Sequence, residues 1–332
     1  MFGRVLRHRG DSVTGLSTPW SDAMGLRAPI VNAPMGGVAG GELAAAVSAA
    51  GGLGMIGVGS AGSVGLLERE IGVARETGAR FGIGLIDWAI QQDPGLLQAA
   101  IAARPALISV GFGSDWSWVE QAREADIVTA AQVYDVDEAR RVVDAGVEVV
   151  VARGAEGGGH GKPRIATLPL LEEVLEALVV PVLAAGGISS PRGLAAVLAA
   201  GASGAWLGTA FAACPESQAT DAARRVLLGA SDRDTVTTTV FDVALGYPWP
   251  PEYPERVLCN GFTRCWSGRE EELASNSEAC AALAAAIADE DFTTAPVNVG
   301  QGVGLLTEIR HASEVVEHLC AGAAELLRSR RP

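Results

Sequence analysis

Lysine is almost missing from this chain. A single one occurs, Lys162, and arginine supplies the rest of the 25 basic side chains. Against 39 acidic residues they leave a net charge of −14. No basic cluster could hold a phosphodiester backbone, so nucleic acid is not expected as a partner. The five cysteines (Cys214, Cys259, Cys265, Cys280 and Cys320) are odd in number and include no CxxC pair. They predict free thiols in a reducing, cytoplasmic setting rather than a disulfide framework. Cys259 and Cys265 would need two further ligands to hold zinc, and His311 and His318 have no thiol or carboxylate pattern beside them, so no metal site is expected. No uncharged run reaches the ~20 residues of a membrane helix. The N-terminal stretch MFGRVLRHRGDSVTG, which contains His8, is basic but lacks the apolar centre of a secretory leader. No GxGxxG follows a strand with an acidic residue ~20 positions on, so a Rossmann nicotinamide site is unsupported. That leaves open NAD(P)H docking directly on another cofactor.

What the chain does have is a rhythm. Its 332 residues are 48% apolar, enough for one large α/β domain with a small accessory segment. Nearly continuous apolar runs lie at 29–35, 53–58, 81–86, 107–112, 126–133, 148–154, 179–187 and 204–211. Strands buried on both faces read this way, as in a parallel sheet covered by helices. Amphipathic segments such as VDEARRVVDAG and SPRGLAAVLAAG separate them, and helices end in Ala-Gly shortly before a strand at AAGGLGMI, DAGVEVVV and AAGASGAWLG. Eight such units predict an α/β fold of the (β/α)8 TIM-barrel type rather than an open doubly wound sheet. The rhythm breaks after Phe211. Residues 215–292 read as a helical and loop-like lid or accessory segment, with 1–214 and 293–332 forming the barrel. The tail LLTEIRHASEVVEHLCAGAAELLRSR predicts a long amphipathic helix packed back onto it, and the composition permits a homodimer.

In such barrels the active site lies at the carboxyl ends of the strands. Those ends are rich in glycine, with Gln132 among them. Gly186-Gly187 ends the seventh run and Gly208-Thr209 the eighth, where (β/α)8 barrels often hold a phosphate on backbone N–H groups and a helix N-terminus. After the sixth run comes ARGAEGGGHG, with five glycines and His160 in ten residues. Histidine suits general-base chemistry near neutrality; the alternative is a turn histidine bonded to a carbonyl. Trp88, Trp116 and Trp118 follow the third and fourth runs and could line an apolar pocket that Trp249 and Trp266 close, or could equally be core anchors. Asp87 and Asp115 read as helix caps.

The ordered set APMGG, AGGLGMIG, GGGHG, PVLAAGGI, GAWLGTAF and GQGVGL, spanning about residues 29–310, resembles the nitronate monooxygenase family and shares much with FMN-containing enoyl-acyl-carrier-protein reductases. The resemblance implies an FMN-dependent (β/α)8 oxidoreductase that turns alkyl nitronates or nitroalkanes into a carbonyl compound and nitrite with O2. It implies that Ala33, Pro34, Met35 and Gly36 lie against the flavin. Gly158 and Gly159 would let backbone approach it, with Gln132 and Arg153 beside it. Gly186, Gly187, Leu207, Gly208 and Thr209 would hold the phosphate, Gln301 would return toward the ring, and His160 would be the base. The alternative is an FMN-dependent NAD(P)H reductase of an enoyl thioester or quinone; a non-enzymatic flavin-binding module is a third reading. The chain departs from the family pattern at three places: Gly84 stands where Asn is usual, Arg153 where Gln is usual, and Asn298 where an aromatic residue is frequent. Arg153 therefore carries two readings, a cation beside the flavin pyrimidine or a rim salt bridge with Glu156.

Overall fold

A computed structural model of the chain describes residues 16–329; the N-terminal stretch with His8 lies outside them. Eleven strands are formed: β1 (Ile30–Asn32), β2 (Gly54–Gly57), β3 (Phe81–Ile86), β4 (Leu107–Gly111), β5 (Val128–Val133), β6 (Val149–Arg153), β7 (Gly159–His160), β8 (Val182–Ala185), β9 (Gly204–Leu207), β10 (Thr235–Thr238) and β11 (Glu255–Leu258). Eight of them build one sheet in the order β1-β9-β8-β6-β5-β4-β3-β2, and every pairing in it is parallel. A parallel bridge between Val31 and Leu53 joins its two ends, with Leu53 N–H donating to the Ile30 carbonyl at 2.9 Å. The sheet is thereby a barrel, and each of its eight strands falls within one of the apolar runs.

Strand alternation divides the core. Val31, Met55, Leu107, Ala130, Val149, Val151, Leu183 and Trp206 fill the interior, whereas their neighbours Ile30, Ile56, Ile108, Val150 and Leu207 pack outward against the helices. Trp20 and Met24 join the interior set, carried by a short helix, Pro19–Ala23, that Thr18 starts with a capping box. The helices between strands begin on side-chain caps such as Asp135 and Ser190. Three end before Gly51, Gly146 and Gly201, whose φ values of +105°, +96° and +109° only glycine takes readily. The last helix, Ala312–Ser329, packs on the helix Pro191–Ala199 as the tail pattern predicts.

The accessory segment departs from the helical and loop-like expectation. β10 pairs antiparallel with β11, and β11 pairs antiparallel with β7, placing Glu255 opposite His160 and Arg256 opposite Gly159. The β-branched run Thr235-Val236-Thr237-Thr238 supplies the local preference for a strand. A separate apolar cluster of Val240, Phe241, Val257, Phe262, Trp266, Leu273 and Leu283 holds this segment together. The GGGHG stretch is thus both the exit from a barrel strand and the edge of a second sheet.

Candidate active site

At the carboxyl end of the barrel lies a cavity of about 250 Å³. Its floor follows from the strand parity: Ala33, Gly84, Ser109, Gln132, Arg153, Ala185 and Trp206 all reach it. Pro34, Met35 and Gly36 form one wall; Gly158, Gly159 and His160 a second; Gly186, Gly187, Leu207, Gly208 and Thr209 a third. Of the residues that the resemblance implies at the flavin and its phosphate, Gln301 is the exception. Its side chain is exposed, because its N–H donates to the Glu156 carbonyl at 2.9 Å and turns the residue outward. Asn298, three positions earlier, lines the cavity instead.

The third wall has the character of an anion cradle. Gly186 and Gly187 have φ of +112° and +68°, and Gly208 precedes the four-residue helix Thr209–Ala212. The N–H groups of Gly187, Gly208 and Thr209 have no acceptor among the described residues. The Thr209 hydroxyl accepts from Gly300 N–H at 2.9 Å, which leaves its proton free for another acceptor. Converging unpaired donors of this kind suit a phosphate without any lysine.

Packing explains the glycines of the second wall, and the explanation differs from the clearance for a cofactor inferred from the sequence. A Cβ on Gly158 would come within 2.5 Å of the Val299 carbonyl carbon, and one on Gly161 within 2.3 Å of Arg153 Nη1. Gly159 has φ +66°. The segment wraps the Arg153 guanidinium on one side and residues 298–300 on the other.

The rim salt bridge with Glu156 is not the contact that the Arg153 side chain makes. Arg153 is buried, and its Nη2 donates to the carbonyls of Gly157, Gly158 and Gly159 at 2.9, 3.0 and 3.1 Å. Its burial pulls the guanidinium below the ordinary arginine value. Glu156 is turned away, accepting from the Thr167 N–H and hydroxyl. Arg153 is a clasp that shapes the histidine loop. Gly84 is likewise explained by packing: a Cβ there would sit 2.2 Å from Pro34 Cγ, so Pro34 fills the place of an asparagine side chain.

His160 is held from several directions. Its Nε2 lies 2.9 Å from Asp242 Oδ2, and the Trp249 ring stacks on the imidazole at 3.5 Å and 7°. Trp249 Nε1 donates to Ser60 Oγ at 2.9 Å, pinning the accessory segment to the loop after β2. Phe112 meets both rings edge-on from a left-handed φ of +68°, which a bulky side chain seldom adopts. Glu255, opposite His160, is only 3% exposed, and its Oε1 has no hydrogen-bond partner. Burial, and then the negative Asp242, push its carboxyl well above the usual range.

Asp242 and Glu255 were not legible as site residues, since each lies more than eighty positions from His160. The tryptophans divide unevenly. Trp249 lines the cavity, Trp88 stands edge-on behind it, Trp116 and Trp118 pack into the outer core, and Trp266 belongs to the accessory core. Asp115 is not the cap of the next helix, which starts from Trp116; it accepts from Ser117 N–H one residue outside that position. Asp87 is instead the first residue of the helix Asp87–Gln92, bonded to Gln91 Nε2.

Comparison with known proteins accords with this architecture. The family model described as nitronate monooxygenase matches residues 17–94 and 86–322. The nitronate monooxygenase of Pseudomonas aeruginosa is 33% identical over 76% of this chain and 93% of that protein. That of Paraburkholderia phytofirmans is 33% identical over 72% and 76%. Among solved structures, FabK from Thermotoga maritima superposes with a TM-score of 0.83 at 31% identity, covering 95% of this chain and 98% of that one. A nitroalkane oxidase from Streptomyces ansochromogenes gives 0.80 at 30%, covering 94% and 100%.

Proposed function

The chain belongs to the nitronate monooxygenase family, and from that premise we propose that it is an FMN-dependent oxidoreductase. Its reaction is the conversion of alkyl nitronates or nitroalkanes and O2 to a carbonyl compound and nitrite. The observation that carries the reading is the meeting, in one cavity, of His160 and the unpaired N–H groups of Gly187, Gly208 and Thr209. The donors fit an FMN phosphate: they are backbone groups, they converge, and the Thr209 hydroxyl retains a proton to give. Ala33, Pro34, Met35 and Gly36, with Gln132 and the backbone of Gly158 and Gly159, would hold the ring. When bound, FMN supplies the redox step.

The chain's own residues prepare the substrate for it. His160 takes the α-proton of a neutral nitroalkane, or donates a hydrogen bond to a substrate that arrives already as nitronate. Trp249 and Phe112 exclude water from the imidazole face. The FabK similarity supports a second reading, reduction of an enoyl thioester by NAD(P)H. Against it, Arg153 is the only arginine or lysine among the described residues lining the cavity, and its Nη2 is engaged by three carbonyls.

Anaerobic mixing of the purified, flavin-containing protein separates the two. Bleaching of the flavin band by an alkyl nitronate but not by NADPH is expected; rapid bleaching by NADPH alone would establish the reductase instead. A protein that turns over neither donor, and whose flavin content ignores His160→Asn, is a binding module. In the favoured case His160→Asn lowers kcat/KM for a neutral nitroalkane by ~10²–10⁴-fold.

A further inference from the structure

We infer that Asp242, supplied by the accessory segment, is a positioning residue that fixes the His160 imidazole in one tautomer and presents Nδ1 to the substrate. The inference rests on the reading of His160 as proton acceptor. Three contacts hold the ring. Pairing of β7 with β11 sets the backbone, the Trp249 stack sets the ring plane, and the 2.9 Å contact with Asp242 sets rotation within that plane. His160 and Asp242 have side chains only 12% and 8% exposed, so water does not compete for the contact. A carboxylate can only accept. Nε2 therefore carries the hydrogen, and Nδ1, which has no protein partner among the described residues, offers its lone pair to the cavity.

The proton balance is then simple. The α-C–H bond of the nitroalkane breaks, its electron pair moves into the nitro group to give the nitronate, and the proton passes to Nδ1. Asp242 faces the resulting imidazolium across the shared hydrogen bond. The other charged groups near the ring do not disturb this pairing. Glu255 on β11 has its carboxyl pushed well above the usual range by burial, Arg153 beneath Gly161 is spent on carbonyls, Arg256 bonds Ala155 O and Thr235, and Lys162 is paired with Glu138. One carboxylate thus answers one imidazolium.

The test is a long-range ¹H–¹⁵N spectrum of the holoenzyme labelled at histidine. With four histidines in the chain, His160 is identified by its loss in His160→Asn. The expected result is a protonated Nε2 and an unprotonated Nδ1, with Asp242→Asn mixing the two tautomers. In the same variant kcat/KM falls by ~10²-fold or more for a neutral nitroalkane, while preformed nitronate of the same compound, which needs no proton removed, changes by less than ~5-fold. A wild-type spectrum with the hydrogen on Nδ1 overturns the inference, as does an Asp242→Asn enzyme whose tautomer is unchanged. If Asp242→Asn does not fold, the wild-type spectrum decides alone. If wild type oxidises neither substrate, the proposed function fails, and the spectrum still reports on the Asp242–His160 contact.

Discussion

At the scale of single residues, Glu255 is a side chain whose protonation couples to folding. Its carboxyl is held above the ordinary value of 4.5 by burial, so the folded state binds its proton more tightly than the unfolded chain does. The stability this confers is fully present below 4.5 and is lost as pH rises through the folded-state value. Over that window the wild type is expected to lose about 1.4 kcal/mol per pH unit relative to Glu255→Gln, which cannot titrate. Urea unfolding of both proteins from pH 4 to 8 measures it; parallel curves would show that Glu255 ionises normally. The sequence made His160 legible because a histidine among glycines at a strand end has few ordinary explanations. Its salt-bridge reading of Arg153 failed because one-dimensional distance favours Glu156 as the partner, whereas the guanidinium reaches the backbone carbonyls that the glycines bring within range. Asp242 gave no signal, since a single aspartate in a short amphipathic stretch is ordinary and its partner is 82 positions away.

At the scale of elements, the eight barrel strands were legible because burial on both faces leaves long apolar runs. The accessory sheet was not. β7 is two residues long and half glycine, and β10 and β11 are four each, so neither length nor periodicity marks them; they exist through pairing between distant segments. The loop between the helix Val240–Leu245 and β11 matters for the same reason, because it delivers Trp249 onto His160. Trp249→Ala removes a stacked ring and the bond to Ser60. An aromatic contact contributes about 0.5–1.5 kcal/mol, and a freed imidazole costs a similar amount in orientation. Nitroalkane kcat/KM is expected to fall about tenfold, with Trp249→Phe recovering most of it in the same steady-state assay.

At the scale of the whole molecule, the net charge of −14 acts on a substrate before any contact is made. A nitronate is an anion and a nitroalkane is neutral, so only the former is repelled, and salt screens that repulsion. Raising ionic strength from 10 to 300 mM should increase kcat/KM for the nitronate severalfold and leave the nitroalkane unchanged; equal responses would mean that the cavity mouth is locally insulated from the overall field. The barrel itself was readable because its topology repeats, and a repeated unit needs no long-range information to recognise. The succession of β6 and β7, one in each sheet, has a different implication. His160 follows a barrel strand closely, yet its alignment depends on β11, Asp242 and Trp249, all more than eighty positions downstream. A recombinant that kept every barrel codon but received residues 215–292 from a cousin would carry the histidine without its bearings. Exchange of either stretch alone between relatives is therefore expected to lower nitroalkane turnover, and exchange of both together to restore it.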